Sequence, residues 1–204
     1  MIAIIDYGLG NVRAFANAYN RLGLPSKIAQ KPEELNEAQK IILPGVGSFD
    51  HAMDLLRKSG MFDTLNALVH REKIPVLGIC VGMQILAESS EEGKGPGLGW
   101  IKGQVRRFPA SAGGSKIRVP HMGWNNVAPV SQSPLMKGLD NTSRFYFLHS
   151  YYFQAADSLM VIGQTDYHGG FTCAVAAGNV FGVQFHPEKS HSCGLRLLDN
   201  FGRL

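Results

Sequence analysis

Short apolar runs alternate with stretches of helical periodicity over the first ninety residues of the chain. Runs of strand length lie at residues 2–5, 27–29, 41–43 and 75–79, and apolar residues recur at helical spacing within 12–22, 32–39, 49–60 and 62–72. Strands that alternate with helices of this length predict a mostly parallel sheet with helices on both faces.

The pattern changes after Glu92, where short strands follow one another with turns between them. The predicted strands are residues 104–108, 118–120, 125–129, 144–153, 159–165, 172–176 and 180–185, and a final helix covers 192–201. The last two strands are separated by Ala177-Gly178-Asn179, which predicts a hairpin. We therefore expect an α/β fold in three layers, with a mostly parallel central sheet, flanking helices and an additional antiparallel strand region, in a single domain spanning residues 1–204.

Composition narrows the classes of function only slightly. A chain of 204 residues with 45% hydrophobic and 18% charged residues is typical of a globular domain with a substantial core. The formal net charge is +4, and the basic residues are scattered without interleaved aromatic residues, which argues against nucleic acid as a partner. No apolar run reaches the length of a membrane span. Three cysteines without metal-type spacing favour a reducing cytoplasm, so we expect a cytoplasmic protein with neither metal nor cofactor.

The strand predicted at 75–79 leads into a G-x-C-x-G motif, Gly78-Ile79-Cys80-Val81-Gly82. In the related G-x-S-x-G motif, small residues let the backbone turn sharply from a strand into a helix and present a nucleophile. Cysteine in the serine position presents a thiol with the same geometry, and the N–H groups of the following helix favour its thiolate. Taken alone, the motif is more often a buried structural cysteine beside ordinary glycines.

A cysteine nucleophile requires a base, a group that orients the base, and donors for an oxyanion. The last predicted strand is followed by His186-Pro187-Glu188, which supplies an imidazole and a carboxylate at the sheet edge where Cys80 is expected. The N–H of Val81 is the usual first oxyanion donor at such a turn. The Pro44-Gly45-Val46-Gly47 loop, after a neighbouring strand, offers further backbone N–H groups, although a simple glycine turn explains it equally well.

The glycine loop, the cysteine motif and the His-Pro-Glu segment, in this order, resemble the class I glutamine amidotransferases over nearly the whole chain. The resemblance implies that Cys80 attacks the carboxamide carbon of glutamine, that His186 protonates the departing ammonia, and that Glu188 completes the triad. Water then hydrolyses the γ-glutamyl thioester. It also implies that Gln84 holds the amino-acid end of glutamine. Further backbone, oxyanion and pocket contacts are implied for Val46, Gly47, Val81, Ser150 and Tyr151.

Three segments resemble one branch of that family, the glutaminase subunits of imidazole glycerol phosphate synthase. They are Val119-Pro-His-Met-Gly-Trp-Asn125, Phe145-Tyr-Phe-Leu-His-Ser-Tyr151 and His186-Pro-Glu-Lys-Ser190. The resemblance implies that ammonia passes to a (β/α)8-barrel cyclase subunit, which makes imidazole glycerol phosphate and aminoimidazole carboxamide ribonucleotide in histidine biosynthesis. The residues expected to contact the cyclase are Asn11, Trp124 and Lys189.

Alternative functions remain open on the sequence alone. The chain is also compatible with a glutaminase subunit of another synthase, an intracellular cysteine peptidase or esterase with the same turn, or an inactive docking protein. Gln84 and the 44–47 loop favour glutamine over a peptide, and the complete set of Cys80, His186 and Glu188 argues against an inactive protein. Nucleotide binding by Gly8-x-Gly10 is disfavoured, because Arg13 occupies the position of the third glycine.

Overall fold

The structure is a computed structural model that describes residues 1–112 and 115–204. Within these ranges the α helices are α1 (Val12–Arg21), α2 (Phe49–Lys58), α3 (Phe62–His70), α4 (Val81–Gln84) and α5 (His191–Gly202). Single 3-10 turns cover Pro32–Leu35, Pro134–Met136, Ser158–Met160 and Pro187–Lys189.

The strands are short, and most lie close to the predicted positions. They are β1 (Ile2–Ile5), β2 (Ser26–Ala29), β3 (Lys40–Gly45), β4 (Val76–Cys80), β5 (Ser89–Ser90), β6 (Gly103–Arg107), β7 (Ser111–Ala112), β8 (Ser115–Lys116), β9 (His121–Asn126), β10 (Ala128–Pro129), β11 (Arg144–His149), β12 (Tyr151–Ala155), β13 (Val161–Asp166), β14 (Gly170–Ala177) and β15 (Val180–Val183).

A central sheet of eight strands has the order β10-β13-β14-β15-β4-β3-β1-β2. Five neighbouring strands of this sheet are parallel: β2, β1, β3, β4 and β15. The remaining three, β14, β13 and β10, continue the sheet with antiparallel pairing. The connection through α1 leads from β1 to β2, and the connection through α2 and α3 leads from β3 to β4 in the opposite direction across the sheet. Right-handed crossovers therefore place these helices on opposite faces. The predicted α/β class and its layers are confirmed.

Three of the predicted strands are wrong. The predicted strand 125–129 covers the end of β9 and all of β10, which belong to different sheets. The run 144–153 is divided at Ser150, because β11 pairs with β9 whereas β12 pairs with β6 in a different small sheet. The predicted strand 118–120 is absent from the described backbone, where β9 begins at His121 instead. Pro120 has no N–H to donate to a ladder, so a strand is disfavoured at this position.

Residues 83–88 have a helix-forming composition, but the helix that follows Cys80 is shorter than this. It ends at Gln84, because the segment 97–101 folds back over the next turn and captures its carbonyl groups. The N–H of Leu98 donates to the carbonyl of Ile85 at 2.8 Å, and that of Ile101 donates to Leu86 at 3.1 Å. Ile85 and Leu86, just beyond the end of α4, are fully buried.

The core fills both faces of the central sheet. Its largest fully buried side chains include Phe15 and Tyr19 of α1, Phe49 of α2, and Phe201 of α5. In the ranges that the structure describes, no helix combines the length and the apolar character needed to cross a bilayer.

Three glycines allow β3, β4 and α4 to approach one another at backbone distance. A Cβ atom added to Gly82 would overlap the carbonyl oxygen of Leu43, and one added to Gly45 would overlap the backbone nitrogen of Gly82. A Cβ on Gly78 would lie 2.6 Å from the carbonyl oxygen of Gly82. These contacts are with rigid backbone atoms, so larger residues cannot be accommodated by side-chain movement.

We predict that Gly82→Ala lowers the free energy of unfolding by about 3 kcal/mol or more, because the new methyl group forces β3 and α4 apart. Urea denaturation measures this change. Gly170→Ala is the matched control, since Gly170 lies in a strand with open space around the position of a Cβ. Equal stability of the two variants would contradict the prediction.

Candidate active site

Cys80 lies at a sharp turn between β4 and α4. Its backbone has φ 56° and ψ −113°, a conformation that residues with a Cβ rarely adopt. Gly45 at the end of β3 is the parallel partner of Cys80, and Val183 at the end of β15 pairs with Ile79. The segments that follow three neighbouring strands therefore meet at one edge of the sheet.

His186 lies beside Cys80 and is fixed on all sides. Its Nδ1 atom is 2.9 Å from Oε1 of Glu188, and its ring lines the same cavity as Cys80. Its backbone N–H donates to the carbonyl of Tyr146 at 2.9 Å, and its own carbonyl accepts from Oγ of Ser190 at 2.6 Å. The same Ser190 oxygen accepts from the N–H of Tyr146. One hydroxyl group thus connects the histidine segment to β11.

The surroundings of His186 favour its charged form. Burial lowers the pKa of the imidazole, but hydrogen bonds and charge interactions with Cys80 and Glu188 outweigh burial and raise the pKa to about 10. The Glu188 side chain is itself buried, and its second oxygen, Oε2, has no partner in the described part of the chain. This arrangement places an imidazolium, oriented by a carboxylate, beside the Cys80 sulfur.

A cavity of about 310 Å³ opens over the sulfur. The predicted site residues that line it are Val46, Gly47, Cys80, Val81, Gln84, Ser150, Tyr151, His186 and Lys189. Glu92, Pro120, Leu148 and His149 complete the wall. Glu188 lies behind His186, outside this lining, in the position of a group that acts through the imidazole. The structure therefore brings the sequence-predicted catalytic and substrate-binding residues together.

Two of the three predicted partner contacts lie outside the cavity. Asn11 is exposed at the start of α1, where its side chain accepts a hydrogen bond from the N–H of Ala14 and caps the helix. Trp124 lies on β9 and stacks on His191 with ring centroids 5.0 Å apart. The ammonium group of Lys189 lies at the cavity rim, 5.6 Å from the centre of the Tyr146 ring.

Tyr7 is a site residue that sequence reasoning missed. Its hydroxyl donates to the carbonyl of Pro44 at 2.8 Å and thereby fixes the peptide unit that enters the 44–47 loop. Burial, followed by the charge of Cys80, raises the pKa of Tyr7, so the hydroxyl remains a donor. The aromatic residue in the loop after β1 gave no local indication of this contact.

A buried histidine pair was also missed. Nδ1 of His121 is 3.0 Å from Nε2 of His149, and Nδ1 of His149 is 2.7 Å from the carbonyl oxygen of Tyr151. Burial lowers the pKa of His121 to about 4 and that of His149 to about 3. For His149 the neighbouring His121 and His186 lower the pKa further, against the hydrogen bond to Tyr151. Both rings are neutral near neutral pH.

The comparisons with known proteins agree with this geometry. The family pattern described as glutamine amidotransferase class-I matches residues 3–203. The chain belongs to the class I glutamine amidotransferase family.

Its relatives define the branch of the family. The chain is 56% identical to the imidazole glycerol phosphate synthase subunit HisH of Bdellovibrio bacteriovorus and 52% identical to that of Leptospira interrogans, in each case over the full length of both chains. It belongs to the HisH branch of the class I amidotransferases. Among solved structures, it is similar to a glutamine amidotransferase with a TM-score of 0.75 at 22% identity, covering 100% of this chain and 99% of the other. PurLQS from Thermotoga maritima matches with a TM-score of 0.72 at 18% identity, covering 98% and 96% of the two chains. These two structures support the fold alone.

The buried histidine pair predicts a loss of stability in acid. The unfolded chain binds protons at these residues below their ordinary pKa of about 6.5, whereas in the folded chain the pKa is about 4 for His121 and about 3 for His149. Their contribution to stability is therefore complete above pH 6.5 and is lost as the pH falls towards 4. We predict that His121→Gln reduces this pH-dependent loss by about 2 kcal/mol, measured by urea denaturation at pH 7 and at pH 4.

The control for this experiment is His51→Gln, on the exposed side of α2. In this variant, the difference in the free energy of unfolding between pH 7 and pH 4 should equal that of the unaltered chain. A His121→Gln variant with the full acid-induced loss would show that this pair is not the source of the effect.

Proposed function

We propose that the chain hydrolyses glutamine to glutamate and ammonia with Cys80, His186 and Glu188 as its triad. The observation that carries the proposal is the position of Cys80 at a strained strand-to-helix turn beside an imidazole that Glu188 orients. Membership of the class I amidotransferases supports glutamine as the substrate, in preference to the peptide or ester of the alternative hydrolases. The HisH relatives further support a subunit of imidazole glycerol phosphate synthase.

The proposed reaction has two halves. The Cys80 thiolate attacks the carboxamide carbon, a C–S bond forms, and negative charge gathers on the carboxamide oxygen. His186 gives its proton to the amide nitrogen, the C–N bond breaks, and ammonia leaves a γ-glutamyl thioester. His186, now neutral, takes a proton from water as the water attacks the thioester, and glutamate and the thiolate are released.

Backbone groups stabilise the oxygen during both halves. The N–H of Val81 starts α4, so it is one of the donors that a helix leaves without an internal partner. Val46 and Gly47 also line the cavity, and the backbone of this loop is the proposed source of the second donor. Gln84, Ser150 and Tyr151 line the remaining wall and hold the amino-acid end of glutamine in this proposal.

An apolar surface beside the cavity is the proposed docking site of the cyclase subunit. Met122 and Trp124 project from β9 and are 66% and 40% exposed, while Leu148 on β11 is 40% exposed and also lines the cavity. Lys189 adds a positive charge at the rim and is expected to pair with an acidic residue of the partner. Asn11 follows β1, at the edge of the sheet where the parallel strands end. A barrel seated here covers the cavity mouth, so neutral ammonia passes between the subunits without reaching water.

We predict that Cys80→Ala abolishes glutamine hydrolysis and leaves the cyclase reaction with added ammonium salts intact, because only the nucleophile is removed. A coupled assay of glutamate and of the cyclase product in the reconstituted complex measures both activities. Cys193→Ala is the control, since Cys193 is half-buried on α5 and outside the cavity. More than a few per cent of residual glutaminase activity in Cys80→Ala would exclude this nucleophile.

We predict that Trp124→Ala weakens binding of the cyclase subunit by about tenfold or more, because buried aromatic anchors dominate interface energies. Titration calorimetry of the two subunits measures the change. Leu159→Ala is the matched control, because Leu159 is 87% exposed and precedes β13 at the opposite edge of the sheet. Lys189→Ala should weaken binding less. Normal binding by both Trp124→Ala and Lys189→Ala would place the interface elsewhere.

A further inference from the structure

Two side chains from different elements converge on the carbonyl oxygen of Tyr151. Nδ1 of His149 lies 2.7 Å away, and Nε2 of Gln84 lies 3.1 Å away. A carbonyl oxygen only accepts hydrogen bonds, so both atoms must carry a hydrogen. This one backbone group therefore determines the direction of every hydrogen bond connected to it.

The first consequence concerns two buried amides. Because Nε2 of Gln84 donates, the atom of Gln184 that it meets at 3.1 Å must be the oxygen, Oε1. The other end of the Gln184 amide, Nε2, then faces Sγ of Cys80 at 3.8 Å. If the Gln184 amide alone were reversed, its NH2 group would face the NH2 group of Gln84, and two donors would oppose each other. If both amides were reversed, the Gln84 oxygen would face the Tyr151 carbonyl oxygen, and two acceptors would oppose each other. The direction from Tyr151 to Cys80 is thus fixed.

The second consequence concerns the histidine pair. His149 is neutral and carries its hydrogen on Nδ1, so its Nε2 has a free lone pair and accepts from Nδ1 of His121. Nε2 of His121 in turn accepts from Nδ2 of Asn125 at 3.3 Å, and that amide also donates to the carbonyl of Asp166. The chain of donors runs in one direction from β9 to Tyr151, and it holds the carbonyl in place.

We propose that Gln184 is a catalytic residue that donates a hydrogen bond to the Cys80 sulfur throughout the reaction. The inference rests on the proposed function only in taking Cys80 as the nucleophile. Gln184 is completely buried, and its backbone N–H donates to the carbonyl of Cys173, so the amide is held rigidly behind the sulfur. A hydrogen bond to a charged acceptor in such a site is strong because water does not compete for it.

The amide performs a task that His186 cannot. His186 donates to the sulfur as an imidazolium, but it loses that proton when ammonia leaves. An amide does not titrate, so Gln184 stays a donor in the thioester stage and when the thiolate is released again. The amide is also uncharged, so it does not compete with His186 for the charge on the Cys80 sulfur.

The test measures the reactivity of the sulfur directly, without glutamine. Iodoacetamide reacts with the thiolate, so its rate across a pH series reports how readily Cys80 ionises. The experiment uses the full chain with Cys193→Ser, because Cys173 is buried and burial raises its pKa to about 12. Cys80→Ala in the same background should remove the signal and so identifies the reacting thiol.

The variants are Gln184→Met and Gln184→Glu. Methionine preserves the volume but removes the donor, and we expect the midpoint of the alkylation profile to rise by about one to two pH units and kcat in the complex to fall about ten- to a hundredfold. Glutamate preserves the shape and the bond from Gln84 but places an acceptor against the sulfur, so the loss of kcat should be larger in Gln184→Glu than in Gln184→Met. If Gln184 served only for packing, Gln184→Met would lose more activity than Gln184→Glu.

Gln164→Met, on the exposed face of β13, is the control for the substitution itself and should leave the profile unchanged. An unchanged profile in Gln184→Met, or a Gln184→Glu variant as reactive as the unaltered chain, would overturn the inference. Failure of the proposed function is distinguishable, because it would appear as a complex with an unaltered Gln184 that hydrolyses no glutamine while its Cys80 remains reactive.

Discussion

The strained backbone at Cys80 is the constraint on which the rest of the site depends. A positive φ at a residue with a Cβ costs about 1–3 kcal/mol and persists only where the surrounding structure enforces it. Here the enforcement comes from the backbone contact of β3, β4 and α4 at Gly45, Gly78 and Gly82. The turn places the sulfur above the sheet edge, where the segments after β3 and β15 both reach it.

Polar groups buried around the sulfur form the second level of organisation. His121, His149, Gln84 and Gln184 are almost inaccessible to water, and each has a partner for the hydrogen bonds described. In a site of low polarity such bonds are strong, and an unpaired group would be costly. Burial also gives the network a single direction, because reversing any amide or imidazole in it would place two donors or two acceptors against each other.

Much of this was predictable from local sequence. The alternation of elements gave the α/β class, and the motifs around Cys80 and His186 identified two groups that the sheet brings together. Both motifs follow strands, so their positions depend only on the carboxyl edge of parallel strands. Tyr7, His121, His149 and Gln184 were not predictable in this way, because their contacts depend on pairing between strands far apart in the chain.

The errors in the predicted elements have a similar cause. The run 144–153 has the composition of one strand, but its two halves find partners in different sheets, and Ser150 lies at the break inside the cavity. The helix after Cys80 is shortened by a segment more than ten residues later, which no local pattern anticipates. In this protein, the residues of the candidate site lie where tertiary contacts override the local preference for a strand or a helix.

The Tyr151 carbonyl has a consequence for how this protein tolerates change. Its oxygen accepts from both His149 and Gln84, and it belongs to the main chain, so replacing the side chain at this position does not delete it. The donors that face the oxygen are side chains, so a single substitution at position 84 or 149 removes one of them. A survey of single substitutions therefore tests only the side chain at position 151 and leaves in place the atom there that sets the direction of the whole network.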